Sequence, residues 1–466
     1  MSRSAAETVA DFISGCRWSD LPDAVKTKAR FCLLDNLAAT LAGTQTRIAR
    51  IADTYAAETW PGSGATVLGS GRDTSAAGAA FANAVAANGT DIDDCGIYTF
   101  GHPGAQLFPA ALALAEVRHS SGAAFMSAQV VGYEIAFRAG RCMHDREISP
   151  EEGGFRACGS WGSVACAAVA AHLMELPHAQ TLQALGIAEY HSPDLPMQRD
   201  IEAPTMVKHG IGIGAMTGIM SARLAELGFT GVPSILTFDE YADWVADIGT
   251  DHLLPTGIMW KEYSCCGYSH PAINALKTLT DVTPVPIDRV ERIVLEVYSY
   301  AAELGARLPE TTEEAQFNLA WPVACFLAYG EVAPEHVLEP HLGNDAVRAL
   351  ANKVEIVVSD EFTRLYALDE ARDPEGMEVA DVTVELDDGR VLTSGVQRSP
   401  VYGDWPRDKM EAKFRALARG FVGDDATERL IDMVWRFDEL DDVRELTSVV
   451  RGALIRNEAA QTQPQG

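Results

Sequence analysis

The chain has 466 residues, of which 47% are hydrophobic and 22% charged, a composition that predicts a soluble globular protein of two or three domains. The formal net charge is −29, from 66 acidic and 37 basic residues, which argues against a nucleic-acid-binding protein because such proteins need a concentrated positive surface. An anionic substrate stays compatible with this charge, since a few cations in a pocket can dominate the local field.

Cysteine content and hydropathy indicate where the protein works. The nine cysteines are spread thinly along the chain, which predicts a reducing compartment rather than a disulfide scaffold. The segment after Met1 has neither the basic nor the apolar region of a secretion signal, and no window offers about 18 unbroken apolar residues. We therefore predict a cytoplasmic protein that has neither a membrane nor a nucleic acid as its partner.

Helical patterns dominate the first two-thirds of the chain. Ser19 and Asp20 are typical caps for a segment with apolar residues at helical spacing, which Gly43 ends. Alanine-rich segments with nearly all-apolar faces follow, and they predict helices that are buried on several sides. These segments are 76–87, 109–117, 123–138, 162–174 and 210–227.

From about residue 285 the pattern changes to short segments rich in Val, Ile and Leu. Strands are predicted at 290–298 and 354–358, and the Asp-Asp-Gly turn at 387–389 predicts a hairpin of 382–386 with 390–396. Helices are predicted at about 316–327, 344–353, 409–419, 426–437 and 443–456. The last residues, 458–466, are rich in Gln and Pro and are predicted to be disordered.

Two glycine-containing segments do not match the functional loops that they suggest. Segment 62–71 lacks the Lys-Ser/Thr end of a P-loop and the strand–helix context of a dinucleotide loop, so we predict a glycine-rich turn around a short strand. Segment 159–162 is not a nucleophile elbow, because position 162 begins a predicted helix and no apolar strand precedes Ser160.

Segment 89–104 is the strongest candidate for a functional loop. It combines the carboxylates of Asp91, Asp93 and Asp94 with His102, and glycines and a proline bend the backbone. Carboxylates beside an imidazole suit proton transfer, because the environment can push their pKa values apart. The alternative is a structural loop in which the aspartates cap helix N–H groups and His102 lies on the surface.

Two further polar segments precede predicted helices. Lys208 lies at the start of a predicted helix, where the helix dipole disfavours a cation. A bound anion shared between Lys208 and the helix N-terminus would explain its position. The alternative is a structural lysine whose side chain extends to solvent. Segment 261–271 contains Cys265, Cys266 and His270, and by itself it favours an interdomain connection. Adjacent cysteines are poor ligands for one ion and no CxxC pair exists, so we predict no metal site.

Seven segments, taken in order, resemble the MmgE/PrpD family, which includes 2-methylcitrate dehydratase, cis-aconitate decarboxylase and iminodisuccinate epimerase. They cover nearly the whole chain: 34–43, 91–103, 132–134, 207–210, 261–270, 315–319 and 403–414. The resemblance implies a mostly α fold with an α+β lid. A large all-helical domain would take 1–272 and 401–457, a smaller α+β domain would take 273–400, and the chain would form a homodimer.

The resemblance also implies a site between the domains that needs neither metal nor organic cofactor and takes a small anionic di- or tricarboxylate. Asp91, His102, Lys208 and His270 match functional positions of the family. We predict that His102 is the base, with Asp91 orienting its ring.

The remaining predicted roles concern the acid and the contacts to the substrate. His270 or Tyr268 is predicted to be the acid. Arg156, Arg199 and Lys208 are predicted to contact the substrate carboxylates, because cations stabilise the charge that develops there. Asp94 and Tyr268 complete the predicted substrate-binding set.

Four positions depart from the pattern of the family. Arg156 replaces a histidine, Cys95 replaces a threonine, Arg199 stands where the decarboxylase has a lysine, and Trp321 stands where the family has a tyrosine. These differences argue against decarboxylation of cis-aconitate. We predict a cofactor-independent lyase of the hydro-lyase type; the alternatives are an epimerase or racemase of an amino- or imino-polycarboxylate and a noncatalytic binding protein on the same fold.

Overall fold

The computed structural model describes residues 4–147, 156–370, 375–398 and 405–462. Three positions used for the resemblance, Gly154 and Phe155 in the segment that ends at Arg156, and Gly403, lie outside these residues.

The first part of the chain folds into helices that pack closely through small residues. At the contact of two of these helices, a Cβ added to Gly218 would lie 2.6 Å from the backbone nitrogen of Ala167, so only glycine allows this approach. The helices are α1 (Ala5–Gly15), α2 (Asp23–Gly43), α3 (Arg47–Thr59), α4 (Ala76–Ala87), α5 (Gly104–Arg118), α6 (Gly122–Glu147), α7 (Cys158–Leu173), α8 (His178–Tyr190), α9 (Gln198–Glu202), α10 (Ile211–Glu226) and α11 (Ala242–Val245).

The alanine-rich segments are helical as predicted, and α4 has the predicted bounds. Helix α5 begins at Gly104 rather than at 109, because the carboxylate of Asp94 accepts a hydrogen bond from the Gly104 N–H at 2.9 Å and caps the helix from outside it. Helix α7 begins at Cys158, so Ser160 lies inside a helix. A nucleophile elbow would place the serine on a turn between a strand and a helix, so this agrees with its exclusion.

Two pairs of very short strands accompany these helices. Strands β1 (Ala65–Thr66) and β2 (Asp73–Thr74) pair in the glycine-rich segment, where a turn around a short strand was predicted. Strands β3 (Cys95–Gly96) and β4 (Ile258–Met259) are antiparallel and join parts of the chain that are far apart in sequence. The second pair fixes the acidic loop beside the segment that begins at Lys261.

A five-stranded sheet organises the second part of the chain. Strand β5 (Val290–Val297) pairs in parallel with β6 (Val354–Val358) and antiparallel with β7 (Val379–Leu386), and β8 (Val391–Thr393) and β9 (Gln397–Arg398) both pair with β7. The predicted strands and the hairpin are confirmed. Gly389 supplies the turn with a φ of +86°, a conformation that favours glycine.

The helices of this part are α12 (His270–Val282), α13 (Ser299–Ala302), α14 (Thr312–Gln316), α15 (Ala320–Tyr329), α16 (Pro334–Val337), α17 (Asp345–Ala351) and α18 (Asp360–Glu370). Of these, α12, α13 and α18 pack on strands of the sheet. The helix predicted at about 316–327 is present as α15, but it begins at Ala320 and is separate from α14. The side chain of Asn318 accepts the N–H of Trp321 at 2.8 Å and starts α15 anew. Because of this break, Gln316 at the end of α14 and Phe317 after it lie beside the candidate site.

The chain then returns to the first group of helices through α19 (Arg407–Val422), α20 (Asp424–Trp435) and α21 (Arg444–Thr462). Helix α21 is described as far as Thr462, whereas disorder was predicted from residue 458; residues 463–466 lie outside the described ranges, and the disordered tail stays a prediction. Alanine and glutamine extend an existing helix at little cost, whereas the prediction relied on composition alone.

Buried apolar residues form two large cores. The first core takes residues from 5 to 260 and from 410 to 453, and the second takes Met197, Ile201 and residues from 263 to 386. Helix α9 therefore packs with the second core, although we predicted it in the helical domain. The domain division at 272/273 and 400/401 stays a prediction. Within the described ranges, no helix combines the length and the apolar character that a membrane crossing requires.

Candidate active site

The acidic loop follows α4 and is held in a strained conformation. Asp91 has a φ of +54°, in the left-handed region that non-glycine residues rarely adopt. The side-chain amide of Asn88 donates to Oδ1 of Asp91 at 3.3 Å and to Oδ1 of Asp93 at 2.8 Å. Such strain costs on the order of 1–3 kcal/mol and is concentrated at functional sites.

His102 lies between two buried carboxylates of this loop. Its Nδ1 is 2.9 Å from Oδ2 of Asp93, and its Nε2 is 3.4 Å from Oδ1 of Asp91. When both ring nitrogens carry hydrogens, each therefore has a carboxylate acceptor. The sequence analysis noted Asp93 but assigned it no role. The spacing of the acidic residues does not show which of them contacts His102.

Lys261 neutralises Asp91 from the opposite side. Its Nζ lies 2.8 Å from Oδ1 of Asp91 and donates to the backbone carbonyls of Asp91 and Cys265 at 3.1 Å. Burial would raise the pKa of the Asp91 carboxyl, but the charges of Lys261 and Lys208 outweigh this effect and hold it below its ordinary value. Lys261 was part of a segment that we singled out, yet we assigned it no role.

Lys413 fixes the same loop from helix α19. Its Nζ donates to the carbonyl of Ile92 at 2.7 Å and to Oδ1 of Asp35 at 2.5 Å. The carboxylate of Asp35 lies on α2 and is fully buried. Two lysines from distant parts of the chain thus hold Asp91 and its neighbour.

Lys208 lies in a tight turn before α10 rather than in the helix. Residues Lys208, His209 and Gly210 have successive φ values of +45°, +56° and +71°. The Nζ of Lys208 donates to the side-chain oxygen of Gln316 at 2.5 Å and lies 4.9 Å from the centroid of the Phe317 ring. The break between α14 and α15 therefore positions this buried cation.

His209 is a site residue that the sequence analysis missed. Its ring is nearly parallel to that of His102, at 16° with centroids 6.1 Å apart. Its Nδ1 lies 3.1 Å from Oδ2 of Asp200, which also accepts the backbone N–H of His209 at 2.5 Å. Burial lowers the pKa of the His209 imidazole.

His270 lies in the interior of the protein. It is the first residue of α12, is fully buried beside the ring of Tyr263, and burial lowers the pKa of its imidazole to about 3. His270 is not among the residues that line the cavity, and its role as the acid stays a prediction. Tyr268 does line the cavity, and the hydroxyl of Tyr366 donates to its hydroxyl at 3.1 Å.

The other predicted substrate-binding residues have protein or solvent neighbours. The carboxylate of Asp94 accepts hydrogen bonds from Gly104, Asn36 and Tyr133, so Asp94 supports helix packing and is not available to a substrate. The guanidinium of Arg156 pairs with Asp194, and Arg199 is exposed on α9. The structure does not bring these two arginines into a common clamp.

A cavity of about 70 Å³ lies where the two cores meet. His102, His209 and Cys95 line it, and Cys95 is the position at which the family has a threonine. Trp321, by contrast, is buried in the second core, where its Nε1 donates to the carbonyl of His336 at 3.0 Å. The other lining residues are Gly96, Ile97, Phe100, Met197, Ile201, Met259, Cys266, Gly267, Tyr268, Phe317 and Glu378.

The acidic loop has the spacing of a possible cation site. The ligand atoms of Asp91, Asp93 and His102 lie within 4.8 Å of one another. The ammonium of Lys261, however, already contacts Asp91, and His102 already contacts Asp93. Lys261 thus supplies positive charge to Asp91 from the protein itself, and the absence of a metal stays a prediction.

Comparison with known proteins agrees with the sequence resemblance. The model of the MmgE/PrpD N-terminal domain matches residues 7–246, and that of the MmgE/PrpD C-terminal domain matches residues 263–439. The cis-aconitate decarboxylase-like protein oryM of Aspergillus oryzae is 28% identical over 94% of this chain and 97% of its own length. The cis-aconitate decarboxylase of Homo sapiens is 26% identical over 97% and 95%, and that of Mus musculus is 26% identical over 99% and 96%. The chain belongs to the MmgE/PrpD family.

Proposed function

We propose that this protein is a lyase that eliminates water from a small hydroxy-polycarboxylate, with His102 as the acid. The observation that supports this most is the position of His102 at the cavity wall, between the carboxylates of Asp91 and Asp93. Asp93 holds Nδ1 of His102 at 2.9 Å, and Nε2, whose contact with Asp91 is longer at 3.4 Å, is the nitrogen that we assign to protonate a leaving hydroxyl. The sequence analysis predicted His102 as the base. We now assign it as the acid because Asp93 is a second carboxylate beside its ring.

Lys208 supplies the positive charge that the reaction needs. Removing a proton next to a carboxylate builds negative charge on the carboxylate oxygens, which a cation stabilises best in a buried site. Lys208 is buried, and among the described residues no carboxylate lies within 4.0 Å of its Nζ. Lys208 is not itself among the lining residues, but its Nζ lies 4.9 Å from the centroid of the Phe317 ring, which does line the cavity. Since Lys261 is paired with Asp91, Lys208 is the cation that we assign to the substrate.

Decarboxylation of cis-aconitate is the second candidate, because the relatives named above carry that activity in their names. Loss of carbon dioxide leaves a carbanion that needs an acid but no base. His102 alone would serve that reaction, whereas elimination of water needs a base as well.

The test is incubation of the full chain in deuterated water with citrate, 2-methylcitrate, cis-aconitate and a set of amino- and imino-dicarboxylates, followed by proton NMR. A new alkene signal from a hydroxy acid supports elimination, and loss of a carboxyl carbon from cis-aconitate supports the second candidate. Deuterium incorporation into amino- or imino-dicarboxylates without a change of skeleton would instead indicate the epimerase. Binding without turnover or exchange would indicate a noncatalytic binding protein.

We also propose a homodimer, as the family resemblance implies. Large apolar side chains on and beside helix α10 are exposed, with Val207 at 67%, Ile213 at 40% and Leu227 at 68%. A continuous exposed apolar surface is typical of protein–protein interfaces, and we propose that this side of α10 supplies it. Light scattering coupled to gel filtration measures the mass directly, and a monomer at micromolar concentration would contradict the proposal.

A further inference from the structure

We propose that His209, held by Asp200, is the second proton carrier of the site and removes the proton from the carbon next to the substrate carboxylate. This assignment rests on the proposed elimination, which requires a base in addition to the acid His102.

The geometry brings two histidines, each with its own carboxylate, to one cavity. His209 and His102 both line it, with nearly parallel rings whose centroids are 6.1 Å apart. Nδ1 of His209 faces Asp200 at 3.1 Å, which leaves Nε2 as the nitrogen for the cavity. A carboxylate at the far nitrogen orients an imidazole and supports it while it carries a proton.

The backbone fixes the position of His209 as well. His209 has a φ of +56° between two other residues of the left-handed region, Lys208 and Gly210. The turn is held at one side by the bond from the His209 N–H to Asp200, and at the other by the bond from Lys208 to Gln316. Both acceptors belong to elements that pack with the second core, so the approach of the two cores positions the ring.

The surroundings of the two histidines are electrostatically opposite. His102 faces two carboxylates, whereas His209 faces Asp200, the cation Lys208, the ring of His102 and the edge of the Phe317 ring. Burial is the largest effect that lowers the pKa of His209, and Lys208 and His102 add to it while Asp200 opposes it. Groups whose environments differ in this way divide the acid and base roles between them.

The proposed step balances as follows. Nε2 of His209 takes the proton from the carbon next to the carboxylate, and the electron pair of the broken C–H bond forms the carbon–carbon double bond. The C–O bond to the hydroxyl breaks, and the hydroxyl leaves as water with the proton from the His102 imidazolium. Proton exchange with solvent then returns both histidines to their starting states.

The experiment compares His209→Asn, Asp200→Asn and a matched control with the wild type in deuterated water. Asparagine is chosen for His209 because it tolerates positive φ. His191→Asn is the control, since His191 is an exposed histidine after α8 that does not line the cavity. With citrate and 2-methylcitrate, we expect His209→Asn to slow alkene formation and C–H/D exchange by about 100-fold or more, while His191→Asn keeps wild-type rates.

Asp200→Asn gives a readout that a purely structural role would not move. The charge of Asp200 raises the pKa of His209, so its removal should shift the ascending limb of the kcat/KM–pH profile to lower pH. If His209→Asn does not fold, as shown by the loss of its cooperative thermal transition, the pH profile of Asp200→Asn is the test of the assignment. An ascending limb at the same pH as in the wild type would overturn it.

The outcomes separate this assignment from the proposed function. If the wild type forms alkene and His209→Asn forms it at the same rate, the role of His209 is overturned while the proposed lyase function is retained. A wild type that neither turns over nor exchanges any of the hydroxy acids would overturn the proposed function and the role of His209 with it. If the wild type decarboxylates cis-aconitate and His209→Asn does so equally fast, the site uses its acid alone and the assignment fails.

Discussion

Lys261 and Asp91 form a buried ion pair, with Nζ 2.8 Å from Oδ1 and with 0% and 1% of the two side chains exposed. The same ammonium also holds the backbone carbonyl of Asp91, and Asp91 in turn faces Nε2 of His102. The pair therefore connects the segment that precedes α12 with the loop that carries the proposed acid.

Removing one partner of this pair should destabilise the protein. We expect Lys261→Met to lower the free energy of unfolding by about 3–5 kcal/mol, because it leaves a buried carboxylate without its counter-charge. Asp91→Asn added to Lys261→Met should recover part of the loss, since a neutral amide needs no cation. Urea denaturation followed by circular dichroism measures both changes.

The control for this prediction is Lys277→Met, which breaks an exposed pair with Asp281 on α12. Exposed pairs contribute little, so this variant should differ only slightly from the wild type. Equal losses in Lys261→Met and Lys277→Met would contradict the importance of burial.

Lys413 should matter for activity although it does not line the cavity. Without its ammonium, the carbonyl of Ile92 and the carboxylate of Asp35 lose their donor, and the neighbouring Asp91 is free to shift. We expect Lys413→Met to lower kcat on the order of 10–100-fold with a smaller change in KM, because small misplacements of reacting groups are costly. Lys409→Met, on the same helix, removes an ammonium that pairs with Glu262 and lies 3.9 Å from the centroid of the Trp405 ring but does not contact the acidic loop, so it should keep wild-type kinetics. An unaltered kcat in Lys413→Met would show that the loop holds its position without this lysine.

His270 should make the protein sensitive to mild acid. In the unfolded chain it takes up a proton near its ordinary pKa of 6.5, whereas in the folded protein burial lowers that pKa to about 3. Its contribution to stability is therefore complete above pH 6.5 and is lost as the pH falls from 6.5 toward 3, by about 1.4 kcal/mol per pH unit. Urea denaturation between pH 7 and pH 4.5 should give a shallower pH dependence for His270→Asn than for the wild type. Parallel curves would contradict the buried neutral state.

Cys95 should report occupancy of the cavity. It is partly exposed, whereas the other eight cysteines are buried. Burial raises the pKa of its thiol well above the ordinary value, so alkylation by iodoacetamide should be slow at pH 7 and faster at pH 9. Saturating citrate should slow the labelling of Cys95, while the buried Cys325 stays unlabelled throughout, as mass spectrometry of the peptides would show. Labelling that is indifferent to every polycarboxylate tested would place the substrate elsewhere.

The sequence predicts the helices, the sheet and the acidic loop, because each depends on a local pattern. It does not predict which residues from distant parts of the chain contact the acidic loop. The pairing of β3 with β4, which brings Lys261 to Asp91, involves strands of two residues that have no detectable periodicity. The contact of Asp200 with His209 likewise depends on a tight turn at positive φ.

The predicted arginine clamp depends on contacts that local patterns do not determine, and it stays a prediction. Arg156 and Arg199 were assigned to the substrate by alignment with family positions, but their neighbours depend on tertiary structure. In the structure, Asp194 takes the guanidinium of Arg156, and α9 carries Arg199 to the surface. Charge and position in the sequence do not determine which carboxylate an arginine meets.

The central claim is that His102, held between Asp91 and Asp93, transfers a proton in a lyase reaction on a polycarboxylate. The most direct measurement is proton NMR in deuterated water of the wild type and of His102→Gln with the same set of acids, with calorimetric binding of each acid as the check on folding. We predict that His102→Gln still binds but forms alkene at least about 100-fold more slowly than the wild type. Wild-type rates in a His102→Gln variant that binds normally would contradict the claim.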